Sequence, residues 1–492
     1  MSTREPAARG KERGTKPSKV RQAVVMVHGM GEQRPLQTLN QFIAAALEPD
    51  PEAEHDFYSR PDEVTDSYEA RVYLAPRSPR RGDPEKRAQT EFYEYHWAHL
   101  MQGNRLDDMW PTFKKMLLQR PTRVPSGLRV VWVLFWVLLM ATVFFLWKGD
   151  VALGLDKLTF EGLLRALFGG GAIGVALTYL VARLMPGWIT TSFVDVVRYL
   201  DTSPRSYDVR RQIRKGMVDL LVKLHEAELC GKQRYDRIIV VAHSLGAFIA
   251  YDGISYLFSH IDQLLSGDQH GTGVPDGLKE LEEVSSKLPD ASYDDKAARV
   301  KESIVDEYRA AQRRLWLGIR AHGNPFRITD FVTLGTPMYF TDRLFTKNVN
   351  EFKVRIDRGE LPTCPPQNDS EDDNNIHGTE RWFSWANKGR RELDHKAVFA
   401  VTRWTNMWFP ARLGFFGDWF GGRLAPLFGN GIKDIALKGN SAPPKSRLIP
   451  GYAHALYLQF PTDTTEASVT TKLRSALELA STDWLQPTAD DE

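Results

Sequence analysis

The stretch Ile238-Ile239-Val240-Val241-Ala242-His243-Ser244-Leu245-Gly246-Ala247 decides how this chain is read. Its first half is apolar and rich in β-branched residues with no polar alternation, the pattern of a strand buried on both faces. After one serine the residues become helix-compatible. A strand turning that sharply into a helix lifts the serine hydroxyl above the end of the sheet, and it tolerates only small residues two before and two after the serine. Ala242 and Gly246 hold those positions, alanine replacing the glycine common at the first. A helix starting past Ser244 directs its amides toward the hydroxyl, so the Leu245 N–H is a donor for a developing oxyanion. The bland alternative is a structural serine in a tight β–α turn.

A second apolar run, Ala23 to Val27, ends in His28-Gly29-Met30-Gly31. A glycine-flanked loop after a strand lets the Met30 N–H turn inward as a second oxyanion donor. Glycine-rich loops after strands also bind phosphates. This one lacks the Lys-Ser/Thr of a P-loop and the full dinucleotide fingerprint.

With these two segments, the chain resembles the lipase/esterase branch of the α/β-hydrolase superfamily, in particular its membrane-associated members. Thr333-Leu334-Gly335-Thr336-Pro337 and Gly451-Tyr452-Ala453-His454-Ala455-Leu456-Tyr457 also match. The resemblance implies a mostly parallel sheet with helices on both faces and the chain order serine, acid, histidine. It places the general base at His454, in a loop after the Pro450-Gly451 turn. His28 and His243 fall in the oxyanion loop and the elbow, where they shape the pocket. The family's acid follows the penultimate strand, here expected at Lys396 to Trp404. The run Trp404, Asn406 and then Gly417-Asp418-Trp419-Phe420-Gly421-Gly422 resembles that pattern and points to Asp418, with Asp434 as runner-up. A capping or solvated aspartate is the alternative for either. Such a site needs neither metal nor organic cofactor.

Two further apolar runs lack any charged residue, Val130 to Trp147 and Ala166 to Ala182. As helices they extend roughly 26–27 Å, near the lower limit for crossing a bilayer. Trp132, Trp147, Tyr179 and Trp188 sit toward their ends, and Gly170 and Gly174 have the spacing that permits close helix approach. The expectation is a transmembrane hairpin over residues 129–185; a buried hairpin or an apolar lid is the alternative. Arg120, Arg123, Arg129, Arg183 and Arg198 on the outer flanks outweigh Lys148 and Lys157 in the connection, which orients the soluble parts toward the cytoplasm.

Around these features the organisation reads as a basic disordered tail (1–21), hydrolase segments at 22–128 and 186–462, and a C-terminal helix with an acidic tail (463–492). A helical insertion is expected at about 262–315 after the nucleophile helix, and an acidic loop at Asn368 to Asn375. Arg327 to Leu334 is a further strand candidate. A net charge of +2 gives no reason to expect nucleic acid. Cys230 and Cys364, the two cysteines, match no metal-ligand spacing and no disulfide framework. The chain therefore reads as a membrane-anchored serine hydrolase of a lipophilic carboxylic ester, with membrane lipid as its setting. A catalytically silent scaffold on the same fold, or an acyltransferase or peptidase, remains as the alternative.

Overall fold

In the computed structural model the apolar run before His28 is strand β1 (Arg21–Val27) and the run before Ser244 is strand β7 (Arg237–His243), paired in parallel with Val25 opposite Val240. The structure describes residues 20–29, 35–47, 57–65, 69–73, 88–101, 121, 124, 129, 132–133, 136–137, 140, 199, 204–229, 231–265, 274–294, 297–346, 348–367, 381–387, 390–410, 417–437, 452–458, 466, 468–479 and 483–485. The other strands of the main sheet are β2 (Phe57–Pro61), β3 (Glu69–Tyr73), β4 (Gln89–Tyr95), β8 (Ile328–Leu334), β11 (Arg403–Trp408) and β12 (Lys433–Ala436). The order across the sheet is β12-β11-β8-β7-β1-β4-β3-β2. The strands from β12 to β4 run parallel, and β3 and β2 are added antiparallel at the far edge. Two small hairpins, β5 (Glu228–Leu229) with β6 (Lys232–Gln233) and β9 (Ser384–Asn387) with β10 (Arg390–Leu393), lie outside it.

The unbroken apolar character of β1 and β7 follows from helices covering both faces. On one face Val24 and Met26 pack with Phe42 and Ile43 of helix α1 (Gln37–Ala46) and Leu473 of a C-terminal helix. On the other face Val25, Val27 and Val240 join Leu221 of helix α2 (Pro204–Glu226) and Ile249 of helix α3 (Gly246–Leu265). Helix α4 (Leu278–Ser286) and helix α5 (Glu302–Ala321) complete that layer, and α6 (Val349–Asp357) and α7 (Val469–Leu477) follow later in the chain.

Some sequence expectations are corrected. Residues 396–402 are not strand: Val398–Ala400 form a 3₁₀ turn, entered by an Ala397 N–H donated to the Asp394 carbonyl at 2.7 Å, and the strand begins only at Arg403 as β11. Val398, Phe399 and Ala400 are fully buried, and a short buried apolar run carries no period that separates a turn from a strand. Of the stretch 262–315, the described residues are largely helical and follow α3 in the chain, as expected. Its α5 buries Tyr308 and Leu315 in the core as part of the β7-to-β8 crossover, with Arg309 also buried and Glu302, Asp306 and Glu307 exposed. The expected tail ends earlier than residue 21, because Arg21 already opens β1. The loop 368–375, the acidic tail from 486, Cys230 and nearly all of the hairpin lie outside the described residues. Among the described residues no helix is long and apolar enough to cross a membrane.

Candidate active site

Ser244 sits at the turn from β7 into α3 with φ 54°, a left-handed conformation that a residue with a side chain adopts only under constraint. The constraint is visible on both sides. Its N–H donates to the Leu334 carbonyl at the end of β8, at 2.9 Å. Behind it, α3 begins so close to β1 that a Cβ on Gly246 would stand 2.5 Å from the carbonyl oxygens of Val27 and His28. A Cβ on Gly29 would likewise meet the Ser244 Cβ at 2.9 Å and the His243 ring at 2.8 Å. Small residues are thus required where the chain has them, and the oxyanion-loop candidate and the serine turn press against one another.

The structure brings three of the predicted residues into one hydrogen-bonded chain. His454 Nε2 lies 2.9 Å from Ser244 Oγ, and His454 Nδ1 lies 3.0 Å from Asp418 Oδ1. With Asp418 ionised, Nδ1 carries the proton and Nε2 is free to accept from the serine hydroxyl. His454 is on a short 3₁₀ turn, Tyr452–Ala455, and Asp418 is in the segment after β11. The serine is fully buried, Asp418 is 1% exposed and His454 5%.

Asp418 is held from several directions. Its Oδ1 also accepts from the Phe420 N–H at 2.8 Å, and Oδ2 accepts from the Tyr457 hydroxyl at 2.7 Å. That hydroxyl accepts in turn from the Phe409 N–H at 3.1 Å. Burial and the adjacent carboxylate push the Tyr457 pKa well above its ordinary value, so it stays a donor. A Cβ on Gly335 or on Gly421 would come within 2.6 Å of Oδ2. The glycine of Leu-Gly-Thr-Pro therefore makes room for the carboxylate.

Asp434, the runner-up acid, does different work. On β12 it accepts from Asn406 Nδ2 at 2.7 Å and from the Leu424 and Ala425 amides at 3.1 and 3.0 Å, tying the end of the Asp418 segment to the sheet. Burial raises its pKa and these donors partly offset the rise.

The two other histidines of the motifs are scaffolding. His243 Nε2 donates to the His454 carbonyl at 3.1 Å, fixing the backbone that carries the His454 ring. Burial, with smaller effects from neighbours, lowers its pKa to about 3, which keeps it neutral. His28 Nδ1 donates to the Gly29 carbonyl at 2.7 Å and Nε2 accepts from the Trp97 N–H at 3.3 Å, while Trp97 Nε1 donates to the His28 carbonyl at 3.0 Å. Burial lowers its pKa to about 4. Leu245 is buried at the start of α3, whereas Met30 lies outside the described residues.

Tyr457, a partner of Asp418, was not anticipated from the sequence. It stands within the quoted Gly451–Tyr457 stretch, but its partner is 39 residues away in the chain and no local pattern announces the contact. Among the described residues no group of three or more His, Cys, Asp or Glu is arranged to hold a metal ion. Comparison with known proteins finds no matching family model, no matching curated protein and no matching solved structure. The assignment these findings carry is the α/β class, with a mostly parallel eight-stranded sheet and helices on both faces.

Proposed function

We propose that the chain is a membrane-anchored serine hydrolase of the α/β-hydrolase fold that cleaves a carboxylic ester through an acyl-enzyme on Ser244. The observation that carries this reading is the chain Ser244 Oγ, His454 Nε2, His454 Nδ1, Asp418 Oδ1, with links of 2.9 and 3.0 Å. A serine hydroxyl is a weak nucleophile until a base removes its proton, and a histidine is a usable base near neutral pH once one nitrogen is fixed as a donor. His454 takes the Ser244 proton as Oγ attacks the ester carbonyl. Asp418 holds the tautomer and stabilises the imidazolium that forms. The Leu245 and Met30 amides receive the oxyanion, and His454 then protonates the departing alcohol. Water, deprotonated by the same histidine, attacks the acyl-enzyme and frees the acid. No metal or organic cofactor takes part in these steps.

The lipophilic nature of the substrate rests on the hairpin of residues 129–185. Of its residues, Val133, Val137 and Met140 are helical and exposed, spaced by four and by three so that they share one apolar face. An exposed apolar helix face of that kind supports a membrane setting, with membrane lipid around the hairpin and the soluble parts on the cytoplasmic side. The complete burial of Ser244 favours a second reading, a silent hydrolase fold serving as a membrane scaffold.

A fluorophosphonate probe separates the two. The wild type, recovered from alkaline-washed membranes, is expected to be labelled, and a folded Ser244→Ala variant to remain unlabelled. Labelling that is absent from the wild type, or unchanged in the variant, would sink the enzyme reading.

A further inference from the structure

At the opposite end of the sheet, residues at or near the starts of three strands build a charged belt. Asp330 near the start of β8 accepts from Arg237 at 2.6 Å and from Arg403 at 2.8 Å, and Arg403 also reaches Glu478 at 3.5 Å. Arg237 and Asp330 are buried. This belt backs a cavity of about 710 Å³ that runs along β12 between α5 and α7. Two arginines of α5, Arg309 and Arg313, line it one helical turn apart on the same face, and Lys472 of α7 lines it from across.

The carboxylates along this cavity already have work. Glu302 and Asp306 pair with Lys433 at 3.3 and 2.8 Å, Glu478 with Arg403, and Asp434 with the Leu424 and Ala425 amides. Arg309 is only 9% exposed and donates Nη1 to the Trp404 carbonyl at 3.2 Å, yet it forms no ion pair among the described residues. Arg313 donates Nε to the Trp484 carbonyl at 3.0 Å. Asp330 and Asp306 act on Arg309 without bonding to it, so its burial is only partly offset, and an arriving oxyanion adds a direct partner. Burial and the charge of Arg403 already press its pKa down to about 10.

We propose that this cavity is a binding site for a phosphate-bearing small molecule, held by Arg309, Arg313 and Lys472. Two guanidiniums from one helix and an ammonium from another approach from different directions, which suits the oxygens of a terminal phosphate better than a planar carboxylate. The volume leaves space for an organic portion beside Val305 and Ile435. The site is remote from Ser244: Arg403 and Lys433 begin their strands, whereas Ser244 follows the end of β7. It does not depend on the hydrolase reading.

The test is calorimetric titration of the full-length protein in detergent with inorganic pyrophosphate, ATP and a dioctanoyl phosphatidylinositol phosphate. Saturable binding is expected in the wild type and equally in Ser244→Ala. Lys472→Ser, a half-buried surface change, is expected to weaken it about tenfold, and Arg309→Gln by more than that. Tighter binding of the lipid than of pyrophosphate and ATP assigns the phosphate to a headgroup, and the reverse assigns it to a soluble metabolite. Absence of saturable heat up to about 10 mM, or affinity unchanged in Lys472→Ser, overturns the site whether or not Arg309→Gln folds.

Discussion

Two aspartates that looked interchangeable in the sequence separate once their partners are known. Asp418 faces the imidazole of His454, while Asp434 faces two backbone amides and an asparagine. On the proposed hydrolase reading, an amide in place of the first carboxylate presents the wrong partner to Nδ1. Ester turnover by Asp418→Asn is then expected to fall by about 10³–10⁴ in kcat, with a stability loss of about 1–3 kcal/mol because one acceptor is lost. Asp434→Asn keeps one acceptor and loses the other. It is expected to lower unfolding free energy by about 1–3 kcal/mol while kcat changes less than tenfold. Steady-state kinetics beside denaturant melts decides this, and a larger kcat loss in Asp434→Asn would reverse the assignment. The serine, the histidine and this aspartate were legible because each sits in a short local pattern: the strand-to-helix turn, the loop after a Pro-Gly turn, and the Gly-Asp-x-x-Gly-Gly run. Tyr457 and His243 were not legible as positioning groups. Their partners are 39 and 211 residues distant, and only the fold brings them together.

Among the elements, the strands ending at the candidate site were the readable ones. β1 and β7 announce themselves because a strand covered on both faces is largely apolar, whereas β8 keeps Thr329, Asp330 and Thr333 in its core. The penultimate strand was misplaced because Val398-Phe399-Ala400 are as buried in a 3₁₀ turn as they would be in a strand. Helix α5 was legible as a helix, but its exposed charges conceal the buried face carrying Tyr308 and Trp316. Glycines show the same dependence on packing partners. A Cβ on Gly246 meets two rigid backbone carbonyls of β1 and its following residue at 2.5 Å, whereas on Gly253 it meets the Met217 side chain of α2, its Cγ at 2.6 Å. Carbonyls fixed in a central strand cannot move aside, but a methionine can change rotamer. Gly246→Ala is therefore expected to cost about 1–3 kcal/mol and to displace the serine turn. In Gly253→Ala the gain in helix propensity largely cancels the crowding, and stability is expected to stay within about 1 kcal/mol of wild type. Equal losses in the two variants, read from thermal melts, would mean that the β1–α3 contact is not the rigid one.

At the scale of the whole molecule, burial of ionisable groups sets how stability answers to pH. His28, His225 and His243 are packed as neutral rings, and burial lowers their pKa values from the ordinary 6.5 to about 4, about 4 and about 3. In the unfolded chain each takes up a proton near pH 6.5 that the folded chain refuses, so the stability they confer is complete above that pH and is lost progressively as pH falls toward 4. Asp330, held low by Arg403 and Arg237 despite its burial, loses its contribution at still lower pH and steepens the decline. Glu94 and Asp434 work the other way, because burial raises their pKa values and their protonation favours the folded chain. Three histidines with large displacements outweigh two carboxyls, and the melting temperature is expected to drop between pH 6.5 and pH 4. His225 isolates the cause, since it lies far from Ser244 along β7 and β8: its Nδ1 donates to the Leu221 carbonyl at 2.7 Å and its Nε2 accepts from the Arg327 N–H at 3.1 Å. Replacing it by asparagine removes one proton from the linkage. The slope of unfolding free energy against pH in that window is then expected to become shallower by up to about 1.4 kcal/mol per pH unit, even though the variant is less stable at pH 7. A slope identical to that of the wild type would show that buried neutral histidines do not govern the acid response of this fold.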